Sequence, residues 1–500
     1  MGSWAAAPLL YVLAVALCVV SAILAAPSSA NSADVLITTE LKLVTPHVGC
    51  YVFSESLGQT STGAFKIQDI QPDMCTYIVY GFATIQANEL QITPKDEENL
   101  FNLNALKVKN PELHLFLALD AGNQAVASQI SQNLAGPTNQ NRQDFVTTIV
   151  EKLRVWSVDG IAVHLESLDF PTANPTSLLL KDIRTRFEQE AAFSKVPRLV
   201  LLVKVGNNVK ASIIDPRILA NASDIVQVRA FDYHTPEYDP AVTDSTSPLY
   251  KSPASLLSNP HAGTIETTFS EWEFYGVPKT KLVLGVALYG RAWTLQHPLR
   301  YEAGAPAMGP STFVGRYLSS PGRLAYHDIC QLLSSRNLTR VFDSYAMAPY
   351  AHGNQTKMWV SYDDTESVRI KSRWVMEKGY GGVVFWDISL DDFNATCSDG
   401  AFPLVKAARS TLAPSADVLQ AVENRVCNRE FCMKKGGGVF ALGTCNNTYC
   451  SCDFGGIFYK FNCGPTTIFD PLTLACNFES AVKGCTKSES ASQKKSSSTL

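Results

Sequence analysis

Five hundred residues, 46% apolar and 18% charged with a formal net charge of −4, exceed one ordinary domain and supply enough apolar side chain for a large core. The same figures exclude a chain that is largely disordered or coiled coil. No basic stripe tracks along any segment, which argues against nucleic acid as the partner.

From Pro8 to Ala26 nineteen residues run without a charge and lead into Pro27-Ser28-Ser29-Ala30. This reads as a secretory signal over residues 1–30, with small residues suited to cleavage near Ala26 or Ala30. An uncleaved anchor is the alternative, since a run of this length just spans a bilayer. On the signal reading the mature chain is secreted and extracellular, with no membrane segment left. Cysteine usage agrees. Of thirteen cysteines Cys18 falls in the signal, four (Cys50, Cys75, Cys330, Cys397) are spread through the middle, and eight crowd into Cys427–Cys485. An even number behind a signal implies disulfides in an oxidising compartment. Sequons at Asn221, Asn337, Asn354, Asn394 and Asn446 are compatible with glycosylation.

From His47 onward short apolar runs alternate with amphipathic stretches. The runs are His47–Phe53, Cys75–Ala83, Leu113–Leu119, Val158–Leu165, Leu199–Val205, Ile225–Tyr233, Leu282–Tyr289 and Gly381–Ile388. Several are nearly continuous in Val, Leu, Ile and Phe, as strands buried on both faces should be. Helical stretches such as Arg142–Trp156 and Thr176–Ala192 fall between them. Eight such strands separated by helices predict an α/β fold, a (β/α)8 barrel over residues 31–412. The gap after Tyr289 is too long for one helix, so an α+β subdomain is expected to be inserted at about 291–363. Residues 413–426 read as a linker, 427–485 as a small disulfide-rich module, and 486–500 as a polar, disordered tail.

In such a barrel function sits at the C-terminal ends of the strands. The fourth strand reads Val158-Asp-Gly-Ile-Ala-Val-His-Leu-Glu166, and period-two alternation points Ala162, His164 and Glu166 inward. An inward Glu is a costly placement that serves either a structural ion pair or a general acid.

At this point the chain resembles glycoside hydrolase family 18, the chitinases and chitinase-like lectins. The family's fourth strand carries D-G-x-D-x-D-x-E; here Asp159-Gly160 and Glu166 match, while the intermediate aspartates are Ala162 and His164. Gly49-Cys50-Tyr51, Cys75–Ala83, Lys281–Arg291 and Gly381–Trp386 with Asp391-Asp-Phe393 are similar to the family's first, second, seventh and eighth strands. The resemblance implies the disulfides Cys50–Cys75 and Cys330–Cys397. It also implies substrate-assisted cleavage of β-1,4-linked N-acetylglucosamine, in which the Glu protonates the leaving oxygen and the substrate acetamido group attacks the anomeric carbon. The Asp two residues earlier steadies that acetamido group, and a sixth-strand Tyr hydrogen-bonds it.

Here the departures matter. Glu166 keeps the acid position, but His164 brings no negative charge, a loss of roughly 3 kcal/mol or about a hundredfold by analogy with one preorganised contact. Where the family has Met-x-Tyr-Asp, this chain has Arg229-Ala-Phe-Asp232, so Phe231 has lost the hydroxyl and Arg229 adds a fixed cation. Arg229 is expected to face Glu166 first and Asp232 second, and by favouring the carboxylate to disarm the acid. The sites the resemblance carries over are Glu166, His164 and Asp232 for catalysis, with Tyr51, Phe82, Phe231, Tyr289, Arg291 and Trp386 lining the substrate cleft. The third-strand segment Leu119-Asp120-Ala121-Gly122 lacks the family's Trp, and Glu55 stands where a first-strand Trp is expected. No cofactor or metal is implied. His164-x-Glu166 and Asp232-x-His234 match no known zinc or iron spacing.

The module resembles the peritrophin-A type of chitin-binding domain. Its core runs Cys432-x12-Cys445-x6-Cys452-x10-Cys463-x12-Cys476-x8-Cys485, with Cys427 and Cys450 as an additional pair. Of Phe454, Phe458, Tyr459, Phe461, Phe469 and Phe478, most are expected to form its small core, the remainder being free to stack on sugar faces. Phe469-Asp470-Pro471 adds to the likeness. The reading that follows is a secreted, lectin-like chitin-binding protein, partnered by chitin or its oligosaccharides, with an inactive or impaired barrel. The alternatives are an active chitinase using Glu166 as acid, and a structural or signalling component of a chitinous matrix.

Overall fold

The computed structural model describes residues 43, 45–58, 64–135, 139–165, 173–208, 214–258, 263–318, 320–397, 400–413, 426–443, 446–453, 456–470, 473–482 and 485. The signal segment, Glu166, most of the linker, Cys445, Phe454, Pro471 and the polar tail lie outside the described residues.

Eight parallel strands close on themselves. They are β1 (His47–Phe53), β2 (Tyr77–Gln86), β3 (His114–Asp120), β4 (Gly160–His164), β5 (Val200–Val205), β6 (Ile225–Val228), β7 (Leu282–Ala287) and β8 (Gly382–Trp386). Each pairs with its successor, and β8 returns to β1 with His47 opposite Gly382. Alternation sends one set of side chains into the barrel, where Tyr51, Tyr77, Val79, Phe116, Ala162 and Leu202 pack together. The other set faces the helices. The helix Gln140–Val155 shows why: it buries Phe145, Val146, Ile149, Val150 and Leu153 on one face, and the Asn139 side chain caps it by accepting from Arg142 N.

Two glycines are demanded by strand contact. A Cβ on Gly160 would lie 2.0 Å from the Val200 carbonyl oxygen, and one on Gly382, at φ +145°, would lie 2.2 Å from that of His47. The Asp-Gly of the fourth-strand motif is therefore structural at its N-terminal end. Asp159 there is bonded by Lys107 Nζ at 2.7 Å and Leu115 N at 2.7 Å, far down the strand from the C-terminal rim. Burial works against the Asp159 carboxylate, but these bonds and one from His114 hold its pKa below the usual value.

The sixth strand is shorter than its apolar run suggested. It stops at Val228; Arg229 N still bonds the Val205 carbonyl at 2.9 Å, and the chain then turns at Asp232, whose φ is +58°. The seventh run divides at Leu288, and Tyr289–Leu295 becomes the first strand of the insert. That strand pairs with Ala307–Pro310, Arg323–Ala325 and Met358–Ser361, and the sheet continues through Ala348–His352 to Thr339–Asp343. Trp293, Trp359 and Tyr350 form its core, and the helix Tyr326–Ser334 packs beside it. The disulfide Cys50–Cys75 joins β1 to the segment entering β2, and Cys330–Cys397 joins the insert's helix to the loop after β8.

The C-terminal module holds a three-stranded sheet (Gly438–Ala441, Thr448–Cys452, Phe458–Asn462) and a hairpin (Thr467–Asp470, Ala475–Phe478). Disulfides Cys427–Cys450, Cys432–Cys452 and Cys463–Cys476 staple it, and Cys485 is also disulfide-bonded. Arg373, on the helix Thr365–Lys378, donates to the Met433 carbonyl at 3.2 Å. Among the described residues no helix is long and apolar enough to cross a membrane. Asn221, Asn337, Asn354 and Asn394 are exposed; Asn446 is half-buried.

Gly160→Ala should destabilise the barrel by about 3 kcal/mol or prevent its folding, because backbone, not a flexible side chain, occupies the space. Gly58→Ala, where the nearest atom to an added Cβ is 3.6 Å away, should be close to neutral. Urea unfolding of the two variants checks the contrast.

Candidate functional site

At the C-terminal rim of the barrel the last inward residues of the strands meet: Phe53 from β1, His164 from β4, Lys204 from β5, Gln227 from β6 and Trp386 from β8. His164 is 3% exposed, in register with Asp120 on one side and Lys204 on the other. The Tyr51 hydroxyl gives its proton to Gln227 Oε1 and lies 2.8 Å from His164 Nε2, so the imidazole must be the donor of that second bond. Gln227 Nε2 in turn donates to Tyr77 Oη at 3.0 Å. Burial, reinforced by the Lys204 charge, holds the His164 pKa well below its usual value. A neutral histidine carrying its proton on Nε2 therefore fills the position at which the sequence resemblance expects an orienting aspartate. The other replaced position, Ala162, is packed in the apolar interior.

Among the described residues Asp232 is the most heavily bonded carboxylate at the rim. Arg291 donates to it through both Nε (2.7 Å) and Nη2 (2.8 Å), Arg229 Nη2 through a 2.7 Å bond, and Tyr289 Oη through another of 2.7 Å. Burial alone would raise its pKa, but the Arg291 bonds and the two guanidinium charges hold it far below the carboxylate range. Arg229, expected to turn first to Glu166 and second to Asp232, takes Asp232 in the structure; Glu166 lies outside the described residues. His234 does not approach His164's partners; its ring nitrogens lie 3.1 Å from Asp239 and 3.3 Å from Asp244.

The expected cleft residues divide into two groups. Among the described residues Tyr51, Phe231 and Tyr289 are buried, at 0%, 2% and 4% exposure, and Tyr289 is bonded to Asp232. The inner layer has absorbed Tyr51, and Phe231 packs edge-on against Tyr289. Phe82 and Trp386 do face pockets. One of about 240 Å³ is bounded by Phe53, Glu55, Tyr317, Arg323, Trp386 and Asp387. The second, of about 380 Å³, is bounded by Phe53, Glu55, Phe82, Asp120 and Asn123. Phe53 stacks on Phe82 (5.1 Å, 20°) and stands between the two. Burial pushes Asp387, in the first pocket, up to about 6, against hydrogen bonds from Ser56 and Ser389. Lys204, Gln227 and Phe53 belong to the site although no motif marked them. A lone Lys in Val-Leu-Leu-Val-Lys-Val was the available signal, since alternation with Leu202 turns it inward.

In the C-terminal module the aromatics are mostly outside, contrary to the expectation that most form its core. The core is Phe431, Leu442 and the cystines, and of the described aromatics in question only Phe469 is buried. Disulfides do the work that an aromatic core would otherwise do. Phe458, Tyr459, Phe461 and Phe478 are 43–64% exposed. Tyr459 and Phe461 share one strand face, and ring contacts run on from Phe461 to Tyr449 (5.4 Å) and from Tyr449 to Phe469 (4.6 Å). The result is a row of rings with its outer end in solvent.

A closed eight-stranded parallel barrel with an inserted subdomain and a disulfide-stapled C-terminal module define the class of protein. The sequence model of glycosyl hydrolases family 18 matches residues 47–391, and the chain belongs to that family. Residues 432–485 match the chitin-binding peritrophin-A domain, which the chain also carries. It is 31% identical to human chitinase-3-like protein 2 over 73% of this chain and 92% of that one. It is 32% identical to mouse chitotriosidase-1 over 73% and 77%. Among solved structures it is similar to human YKL-39, described as a pseudo-chitinase with retained chitooligosaccharide binding properties, with a TM-score of 0.66 and 27% identity over 73% of this chain and 98% of that one. An active chitinase of Trichuris suis gives the same TM-score of 0.66 at 28% identity, over 73% and 99%.

The His164 environment has a pH signature. The folded state refuses a proton that the unfolded state accepts below about pH 6.5, so this residue's contribution is intact above that value and is lost as pH falls. Relative to His164→Gln, the unmodified chain should lose about 1.4 kcal/mol of stability per pH unit on acidification below 6.5. Denaturant titrations of both proteins across that range read it; a constant difference would contradict the buried neutral imidazole.

Proposed function

We propose that this chain is an extracellular chitin-binding protein of the chitinase-like kind, anchored by its C-terminal module and lacking efficient hydrolysis in its barrel. The observation that carries the reading is His164. Substrate-assisted cleavage develops positive charge on the sugar's acetamido group and needs a carboxylate beside it. A buried, neutral histidine committed to Tyr51 supplies none. Phe231 adds no hydroxyl, and Asp232 is held by two arginines and a tyrosine. The relatives include both a described pseudo-chitinase and an active chitinase at equal structural likeness, so the residues carry the decision. The disulfides support an oxidising, extracellular setting.

On a chitotriose reporter the unmodified chain should turn over at least about a hundredfold more slowly than a working family member. His164→Asp combined with Phe231→Tyr and Arg229→Met should raise the rate by more than the sum of the single changes, as residues acting as one unit do. Robust turnover by the unmodified chain, abolished in Glu166→Gln, would establish the active-chitinase reading instead.

Anchoring has its own check. Replacing Tyr459 and Phe461 together by Ala in the full chain should weaken retention on insoluble chitin by about ten- to a hundredfold, taking each exposed ring at about 1 kcal/mol of stacking. Unchanged retention would move the affinity off the module.

A further inference from the structure

Trp386 ends β8 at the rim, is partly exposed, and lines the smaller of the two rim pockets. One face of that ring is already taken. Lys204 Nζ lies 3.0 Å from the indole centroid, 5.7 Å from the Tyr51 ring and 5.9 Å from the Phe231 ring. Three aromatic rings around one ammonium make the kind of cage with which proteins bind cationic ligands. Here the cation is the chain's own, on a strand residue only 3% exposed, so it is fixed by the barrel backbone and not by a mobile loop. The indole edges are crowded too: Tyr51 at 4.7 Å, Phe53 at 4.8 Å and His164 at 5.6 Å between ring centroids.

A sugar stacking on an aromatic needs van der Waals separation, about 3.5–4 Å from ring to pyranose carbons. An ammonium 3.0 Å above the centroid occupies that volume. It also places a positive charge where a sugar would present C–H bonds that are themselves the positive partner of the ring. The two pockets at the rim, one on Trp386 and one on Phe82, both meet Phe53 and Glu55.

We infer that Lys204 is an internal plug: held in the cage of Tyr51, Phe231 and Trp386, it closes the barrel's aromatic floor, so that chitooligosaccharide does not bind over Trp386. This rests on the reading of the chain as a chitin-binding protein and assigns the affinity to the module alone. Lys204 is thus a specificity-determining residue, excluding the ligand from a barrel whose fold would otherwise present it.

The sequence itself provides a clean test. All seven tryptophans lie outside residues 427–485, so tryptophan emission on adding chitotetraose reports the barrel and not the module. The full-length unmodified chain should show no saturable change up to millimolar ligand. Lys204→Ala should acquire a saturable change with an apparent affinity at least tenfold tighter than the unmodified limit, and adding Trp386→Phe should remove it. A saturable response of the unmodified chain that Trp386→Phe abolishes would overturn the plug, and this comparison holds even where Lys204→Ala fails to fold. A natively folded Lys204→Ala, judged by near-UV dichroism, with no response would overturn it equally. Retention on insoluble chitin, measured on the same samples, separates the two levels. Retention with an open Trp386 leaves the chitin-binding reading standing and removes the plug, whereas no retention removes the reading itself.

Discussion

The rim of this barrel is organised around one carboxylate. Asp232 leaves β6 in a left-handed turn and receives Arg291 in a two-pronged bond, Arg229 from three residues back, and Tyr289 from the start of the insert. Two guanidinium groups brought this close would repel without a shared anion, and a buried carboxylate would be costly without them. The cluster therefore joins barrel to insert: β6, the first insert strand and, through Arg291 Nη1 to Glu237, the long loop between them.

That constraint sets the charge around the centre. Arg229 lies over one ring, Phe231, whose neighbourhood Lys204 also shares, and Lys204 covers Trp386. The Lys204 charge then adds to burial in keeping His164 neutral. Family 18 chemistry asks for the opposite arrangement, negative charge gathered beside a sugar that becomes positive. On the proposed reading fold and chemistry have separated: the parallel strands, the strand-contact glycines and the insert are kept, while packing partners and fixed cations stand where the resemblance expects the groups that stabilise the transition state.

Much of this was legible beforehand. Continuous apolar runs located all eight strands because parallel strands buried on both faces leave no other composition available. Alternation placed Ala162 and His164 inward because a strand's period is fixed by its pleat. The end of β6 was not legible, since Ala230 and Phe231 are as apolar as a strand but belong to a turn whose course is set by the Asp232 bonds. Lys204 was not legible from motifs, which lie on the fourth and sixth strands, whereas the fifth offers only one charge in an apolar run. The module inverted the usual expectation for aromatics: once cystines fill its interior, rings are left at the surface, and sequence spacing alone does not say which.

The most direct test of this account is a crystal structure of the full chain grown with chitotetraose. The account predicts sugar density against the Tyr459–Phe461 row, Lys204 still seated on Trp386, and Asp232 still held by both arginines. A pyranose ring stacked on Trp386, with its acetamido group against His164 and the lysine displaced, would contradict it.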